Sequence, residues 1–527
     1  MAKAKLPQSA FARFTGSAIA LASCLAACVA PSTAHSQTLI NYVWSGSTST
    51  DFSTTTNWTS GTVAPTGGSF TDSRITVGNF ATASTRELIY SAAQGNTTYT
   101  NTGTFNQSGL FIGAFSETIF SASMRITGGS FTSHTERADG MASNGNGTLT
   151  IAGGAYTKTG SNRDFAVKWM GNGTGTLNVE SGSFTAGRIV YGLVGSSGAG
   201  VVNLTGGTTT VNQILESFAT TSTLNLAGGT LRAGADQSNL ITVDTARVSA
   251  GGARIDTQGF AVTIAQALLE NGTSTGGGLT KLGAGRLTLS GSNAYTGSTT
   301  ISGGTLALGA AGSFANSSAI IVGSAGSAGA VLDLTAKTGG FSIGAGQLLG
   351  GGGTVRLASS GTLNVLGTFS PGNSPGLFTY DAGTTVLSGT TLMEIFGTSR
   401  ATSPSHGSGF YDAVDIVNNG SLQFGGMLTL EFSSLFANNT TFDLFTPAAG
   451  SSLAGNFTGV NVGGSFYTGL SWNQTGDTWK SSNTVGGQSL EFSSATGQLV
   501  IVPEPAGLAL AGIGIAAAAS AYRRRRS

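Results

Sequence analysis

One phrase recurs along this chain, and its spacing limits the fold more than any other feature. Met124-Arg125-Ile126-Thr127-Gly128-Gly129 is answered by Thr148-Leu149-Thr150-Ile151-Ala152-Gly153-Gly154 and by Thr176-Leu177-Asn178-Val179-Glu180-Ser181-Gly182. Val202-Asn203-Leu204-Thr205-Gly206-Gly207 and Thr223-Leu224-Asn225-Leu226-Ala227-Gly228-Gly229 follow. From Gly129 to Gly154, Gly182, Gly207 and Gly229 the steps are 25, 28, 25 and 22 residues, the length of one solenoid coil. Within each copy the apolar residues stand at i and i+2, on one face of a strand, with Thr or Asn between them facing water. The terminal Gly pair turns the corner, since Gly accepts positive φ at little cost. A single coil cannot bury its own apolar face, whereas stacked coils bury one another's. The pattern therefore predicts an all-β chain folded as a parallel β-helix (β-solenoid), in which Leu149/Ile151, Leu177/Val179, Val202/Leu204 and Leu224/Leu226 point inward.

Composition agrees with this and excludes several alternatives. Charged residues are 9% of the chain, against roughly 25% in typical soluble domains. Gly is abundant (83 of 527) but Pro is scarce (9), which is not collagen. Short Val, Leu, Ile and Phe runs argue against disorder. Many of the basic residues sit at the two ends, leaving a mildly acidic, charge-poor body that is unsuited to nucleic acid. Both cysteines, Cys24 and Cys28, fall near the N-terminus, so no disulfide or Cys-ligated metal is expected in the body.

The two ends read as addresses. Residues 1–36 have a basic start (Lys3, Lys5, Arg13), an apolar stretch from Phe14 to Val29 and a small-x-small site at Ala34-His35-Ser36. That is the pattern of a signal peptide cleaved between Ser36 and Gln37. Leu21-Ala22-Ser23-Cys24 and Leu25-Ala26-Ala27-Cys28 each resemble a lipoprotein box; the apolar run continuing past Cys24 favours leader residues. At the other end, Pro503, Glu504 and Pro505 precede a 17-residue apolar stretch from Ala506 to Tyr522, then Arg523, Arg524, Arg525 and Arg526. As a single short helix that stretch would measure about 25 Å, barely a hydrocarbon thickness. The arginines should stay cytoplasmic, as they would in a simple tail anchor too. The order Pro-Glu-Pro, short apolar helix, arginine cluster resembles the PEP-CTERM sorting signal of Gram-negative bacteria. The resemblance implies recognition by an exosortase-type membrane protease, an inner-membrane intermediate, and delivery to the cell surface or exopolysaccharide matrix.

A second resemblance lies inside the body. Gly278-Leu279-Thr280-Lys281-Leu282-Gly283-Ala284-Gly285-Arg286-Leu287-Thr288-Leu289-Ser290-Gly291 continues through Asn293-Ala294-Tyr295-Thr296-Gly297 to Thr299-Thr300-Ile301-Ser302-Gly303-Gly304-Thr305-Leu306-Ala307-Leu308. This is similar to the autotransporter-associated β-strand repeat, a coil unit of adhesin-like passenger domains. The expected organisation is a signal peptide (1–36), an N-terminal cap with first coils (37–123), solenoid repeats (124–370, with the autotransporter-associated unit at 279–309), a β-rich C-terminal cap of mixed or antiparallel pairing (371–501) and the sorting tail (502–527). Arginines end the chain where a membrane barrel would need many alternating strands, so the autotransporter export route is not expected.

Chemistry-bearing constellations are few. Gly372-Asn373-Ser374-Pro375-Gly376 fits a G-x-S-x-G elbow, but Pro375 has no N–H to donate to an oxyanion, so a turn is expected. His134 and His406 each lack a second His at ligand spacing. The Gly350–Gly353 run has no following Lys-Ser/Thr and reads as a turn. Asp412 and Asp415, at i and i+3 on a strand, should face opposite sides and not share a cation. Arg163, Asp164, Lys168 and Trp169 make the densest polar-aromatic patch, read as an irregular loop leaving the stack, with sugar stacking on Trp169 as the alternative. No catalytic, cofactor-binding or metal-binding set emerges. The expectation is a structural or adhesin-like exported solenoid, not an enzyme; the alternative is a carbohydrate-binding or carbohydrate-cleaving β-helix of the matrix.

Overall fold

A computed structural model describes residues 40–503, except 46–48, 60–61, 72, 78–86, 102–109, 113–120, 142–144, 194, 219–220, 325–326, 328 and 374. Contacts divide the chain into Met1–Ile40 and Asn41–Ser527, and the architecture below is that of the second unit. The signal peptide with Ser36 and Gln37, and the tail from Glu504 through Pro505 to Arg523–Arg526, lie outside the described residues. So does the apolar helix expected at 506–522. Among the described residues no helix is long and apolar enough to cross a membrane.

Each coil crosses up to three faces. Asn146–Thr159 shows how: residues 146–151 lie on a first face, the Gly153-Gly154 corner shifts the register, and residues 155–159 run on a second. Asp164–Lys168 then forms the third. The next coil repeats this with Thr174–Thr185 and Arg188–Tyr191. All pairings between these coils are parallel.

The inward rows follow the repeated phrase residue for residue. On the first face Leu88 pairs with Met124, Leu149, Leu177, Val202, Leu224, Ala246 and Leu268 in turn. The companion row runs Tyr90, Ile126, Ile151, Val179, Leu204, Leu226, Val248. Every side chain in both rows is buried, each aliphatic one worth about 1.5–3 kcal/mol of transfer free energy when fully buried. On the second face Phe131, Tyr156 and Phe184 occupy successive coils and stack at 6.0 and 5.0 Å. On the first face, the outward row between those two inward rows has Thr150, Asn178, Asn203 and Asn225 at its middle, flanked by Arg125 and Arg247: Asn225 Nδ2 donates to Asn203 Oδ1 (2.8 Å) and Asn203 Nδ2 to Asn178 Oδ1 (2.8 Å).

Glycine corners serve packing as much as turning. A Cβ on Gly182, which has φ +75°, would lie 2.1 Å from the Gly154 oxygen of the coil before; one on Gly207 would lie 2.6 Å from Gly182 O. Strands stacked at the usual spacing of about 4.8 Å leave no room there for a side chain.

Both ends of the described stack hold aromatic clusters. Trp44, Phe52 and Trp58 are buried near the N-terminal end, with Phe52 edge-on to Trp58 (5.1 Å) and to Tyr90 (5.8 Å). At the C-terminal side the structure corrects the expected boundary. Parallel coils do not stop at 370: Thr390–Ile395 pairs in parallel with Met427–Phe432, and that strand with Gly459–Gly464. Thr441–Asp443 and the strands between Trp472 and Pro503 form an antiparallel sheet, and Ile395 pairs antiparallel with Tyr411 where the chain returns from an excursion. Phe424, Phe445, Phe457 and Phe492 pack where this sheet meets the last coils. Pro503, the first residue of the Pro-Glu-Pro motif, closes the final strand opposite Gln488.

Candidate functional site

The patch singled out in the sequence does not form one site. Asp164–Lys168 is a strand within the stack, not a loop leaving it. A register shift between Ala166 and Lys168 puts Lys168 opposite the buried Tyr191, and burial there pushes its ammonium down to about 8. Asp164 stays at the corner and takes a two-point contact from Arg188 on the next coil, Nε to Oδ1 at 2.7 Å and Nη2 to Oδ2 at 2.5 Å. Trp169 is half-buried, edge-on to Phe111 at 6.1 Å. Arg163 remains exposed beside a shallow cleft with Asn162, Arg188 and Asn212. The ring and the charges that would grip a sugar are thus dispersed.

Of the Gly372–Gly376 segment, Gly372, Asn373, Pro375 and Gly376 are described, and they form a bed for another loop. The chain leaves the stack after Ile395 and returns at Ala413; the Pro404 carbonyl on this excursion accepts the Asn373 N–H (3.0 Å), and His406 N–H donates to Pro375 O (2.7 Å). A Cβ on Gly352 would lie 2.1 Å from Pro404 Cα, so part of the Gly350–Gly353 run exists to let this loop lie flat. His406 Nε2 accepts from the backbone of Thr402 (3.0 Å) and Ser403 (3.1 Å), and its ring stacks on Phe410 at 4.0 Å. Asp412 is fully buried, and its two oxygens accept the Gly376 and Glu394 amides at 2.8 and 2.7 Å. Burial pushes its carboxyl up to about 8, against the opposing effect of those two bonds. The carboxylate grips backbone, not an imidazole, so His406 and Asp412 do not make a relay; Ser374 lies outside the described residues. Asp415 turns the other way and pairs with Arg400 at 2.6 Å, so the two carboxylates do not converge. Among the described residues no group of three or more His, Cys, Asp and Glu could hold a metal ion. His134, on the outer side of the second face, meets Thr159 Oγ1 at 2.9 Å.

One cleft that the sequence did not reveal lies where the third face turns into the first. Glu216, Ser217, Phe218, Thr242, Val243 and Asp244 line about 440 Å³ across two coils. Ser222, fully buried, fixes both carboxylates: its hydroxyl donates to Glu216 Oε2 (2.6 Å) and accepts the Asp244 N–H (2.8 Å), while its own N–H donates to Asp244 Oδ2 (3.0 Å). Phe218 is 39% exposed, unusual for so large an apolar side chain in this stack. Only the register Ser222 opposite Asp244, one coil apart, brings these residues together, and local sequence carries no sign of it.

In-register parallel coils, inward apolar rows and hydroxyl-rich outer faces make a parallel β-solenoid. Residues 279–308 match the family model of the passenger-associated-transport-repeat, which bears out the autotransporter-associated unit read at 279–309. The matched segment is one coil step of the stack: Leu279–Leu282 and Thr299–Ile301 pair in parallel, as do Arg286–Leu289 and Thr305–Leu308. No curated protein matches the chain. The repeat and the architecture together fit an exported, surface-displayed protein of autotransporter-like passenger form.

Proposed function

We propose that this chain is a structural or adhesin-like β-solenoid, sorted to the cell surface or exopolysaccharide matrix through its PEP-CTERM-like tail, and that it is not an enzyme. The observation carrying this reading is the unbroken inward row from Leu88 to Leu268, which continues in kind through the matched repeat. A stack whose outer faces present Thr, Ser and Asn, with little net charge, suits prolonged contact with a hydrated polysaccharide gel. Its end clusters suit a rod that must not polymerise through open strand edges. In the proposed route the leader up to Ser36 is removed on export. The tail then holds the body at the inner membrane until an exosortase-type protease acts at Pro503-Glu504-Pro505, and exopolysaccharide is the proposed partner outside. Protease shaving of intact cells of the native host, with antibody detection of the body, tests this. Loss of signal without lysis is expected; protection of the body until the cells are broken would overturn surface display.

A further inference from the structure

The corner where the second face turns into the third has lost its aromatic ring but keeps a set of hydrogen-bond donors. Arg163, Gly187 and Asn212 hold the same place in three successive coils: Gly187 N–H donates to Arg163 O at 2.6 Å, and Asn212 N–H to Gly187 O at 2.8 Å. The middle member has no side chain, and the stack has no room for one there. A Cβ on Gly187 would lie 2.6 Å from Arg163 Cβ and 3.1 Å from Arg163 O. The gap it leaves belongs to a cleft of about 390 Å³, lined by Asn162 and Arg163 on one coil, Arg188 on the next and Asn212 on the third. That volume falls in the range of small-ligand sites.

Several polar groups of the lining are unspent. Asp164 is already neutralised, since Arg188 takes both of its oxygens. Asn162 accepts the Asp164 N–H on Oδ1 (2.9 Å) and keeps its Nδ2 free to donate. The Arg163 guanidinium and the Asn212 amide make no side-chain hydrogen bond or ion pair with a described residue. Outside the lining, Glu136 accepts the Ser161 hydroxyl. Two guanidiniums against one carboxylate leave the lining with one surplus positive charge, which favours a monoanion. The planar fork of a guanidinium matches the two coplanar oxygens of a carboxylate. Amides on either side of it suit the hydroxyls of a sugar ring, which both donate and accept.

We propose that this cleft binds a uronate residue of an acidic polysaccharide, its carboxylate on Arg163 above Gly187 and its ring hydroxyls on the Asn162 and Asn212 amides. The proposal rests on the surface reading only for where such a polymer would be met. The seat itself is tested in solution, so either can fail without the other.

The test is calorimetric titration of the full exported protein with the galacturonate hexamer and with its fully methyl-esterified form, which keeps the rings and hydroxyls but not the charge. Binding of the acid form alone is expected. Arg163→Gln should weaken it by about tenfold or more, the loss of a hydrogen bond between charged groups. Asn212→Leu should weaken it as well while leaving every charge in place, which diffuse attraction to a cation would not predict. Arg254→Gln removes an exposed guanidinium from the second face, outside the cleft, and should bind as the parent does. Thermal melts of each variant confirm that the stack is folded. Equal binding of the acid and the ester overturns the proposal, as does equal weakening by Arg163→Gln and Arg254→Gln. Full retention in Asn212→Leu, or no binding by the folded parent, overturns it too.

Discussion

Lys281 Nζ donates to the carbonyl oxygen of Gly303, one coil further along, at 3.1 Å. The lysine occupies an inward position between Ile255 and Ile301 and is fully buried. Its ammonium also meets Leu282 O and Gly283 O at 2.8 Å each, so the cation closes a corner of the matched repeat by satisfying three carbonyls. Burial pushes it down from the usual 10.5 to about 8.

That arrangement has a pH signature. Between about 8 and 10.5 the unfolded chain holds this proton more tightly than the folded one, so stability attributable to Lys281 rises with pH across that window. Lys281→Met removes the donor and should cost about 1–2 kcal/mol at neutral pH. It should also abolish the alkaline rise, so the gap in urea midpoint widens above pH 8. Equal gaps at neutral and alkaline pH would show that the buried ammonium is not the cause.

Asp412 has the opposite sign. A carboxyl raised from 3.8 to about 8 favours the folded state when protonated, so its contribution is fully present below about pH 4 and lost as pH rises through about 8. Asp412→Ala strands the Gly376 and Glu394 amides and should cost about 3 kcal/mol, with a flatter stability profile between those limits. Denaturant titrations at several pH values across that range read both effects. A variant with the parent's slope would place the titration elsewhere.

The in/out alternation can be tested with one pair of variants. Leu226, buried between Leu204 and Val248, should lose several kcal/mol as Leu226→Asp, since an unpaired charge enters the row. Thr230→Asp, half-exposed and opposite Arg254, should change stability by about half a kcal/mol or less. Similar urea midpoints for the two would contradict the assignment.

Corner glycines give a further comparison. Gly182→Ala forces a side chain into positive φ and toward Gly154 O, and about 2–4 kcal/mol should be lost. Gly259→Ala meets nothing within 4 Å and should be nearly neutral. Comparable melting temperatures would mean that the coils can separate locally to admit a methyl group.

What could be read in advance was whatever repeats locally. Leu149/Ile151, Leu177/Val179, Val202/Leu204 and Leu224/Leu226 were placed correctly because strand alternation and the Gly corner both lie within about seven residues. Lys281 obeys the same alternation and Lys168 is brought inside by a register shift after Ala166, but their charge suggests a surface, and only the carbonyls around Lys281 explain its place inside. Asp164–Lys168 was misread as a loop for that reason. Coils beyond 371 escaped notice because their spacing stretches: Met427 lies 37 residues after its partner Thr390, the excursion across Gly352 filling the gap. The Glu216–Asp244 cleft depends on which turn residues meet one coil apart, which no local pattern encodes.

We propose that this solenoid is carried outward between two removable addresses, and its mature termini would report on both. The strand ending at Pro503 brings the motif to the edge of the folded body, while the Ala- and Gly-rich stretch behind it offers little transfer energy for a permanent anchor. Intact-mass analysis of the protein from the native host should find an N-terminus near Gln37 and a C-terminus close to Pro505, with Arg523 to Arg526 gone. Mature protein that keeps the four arginines and fractionates with the inner membrane would contradict the account and leave a tail-anchored solenoid in its place.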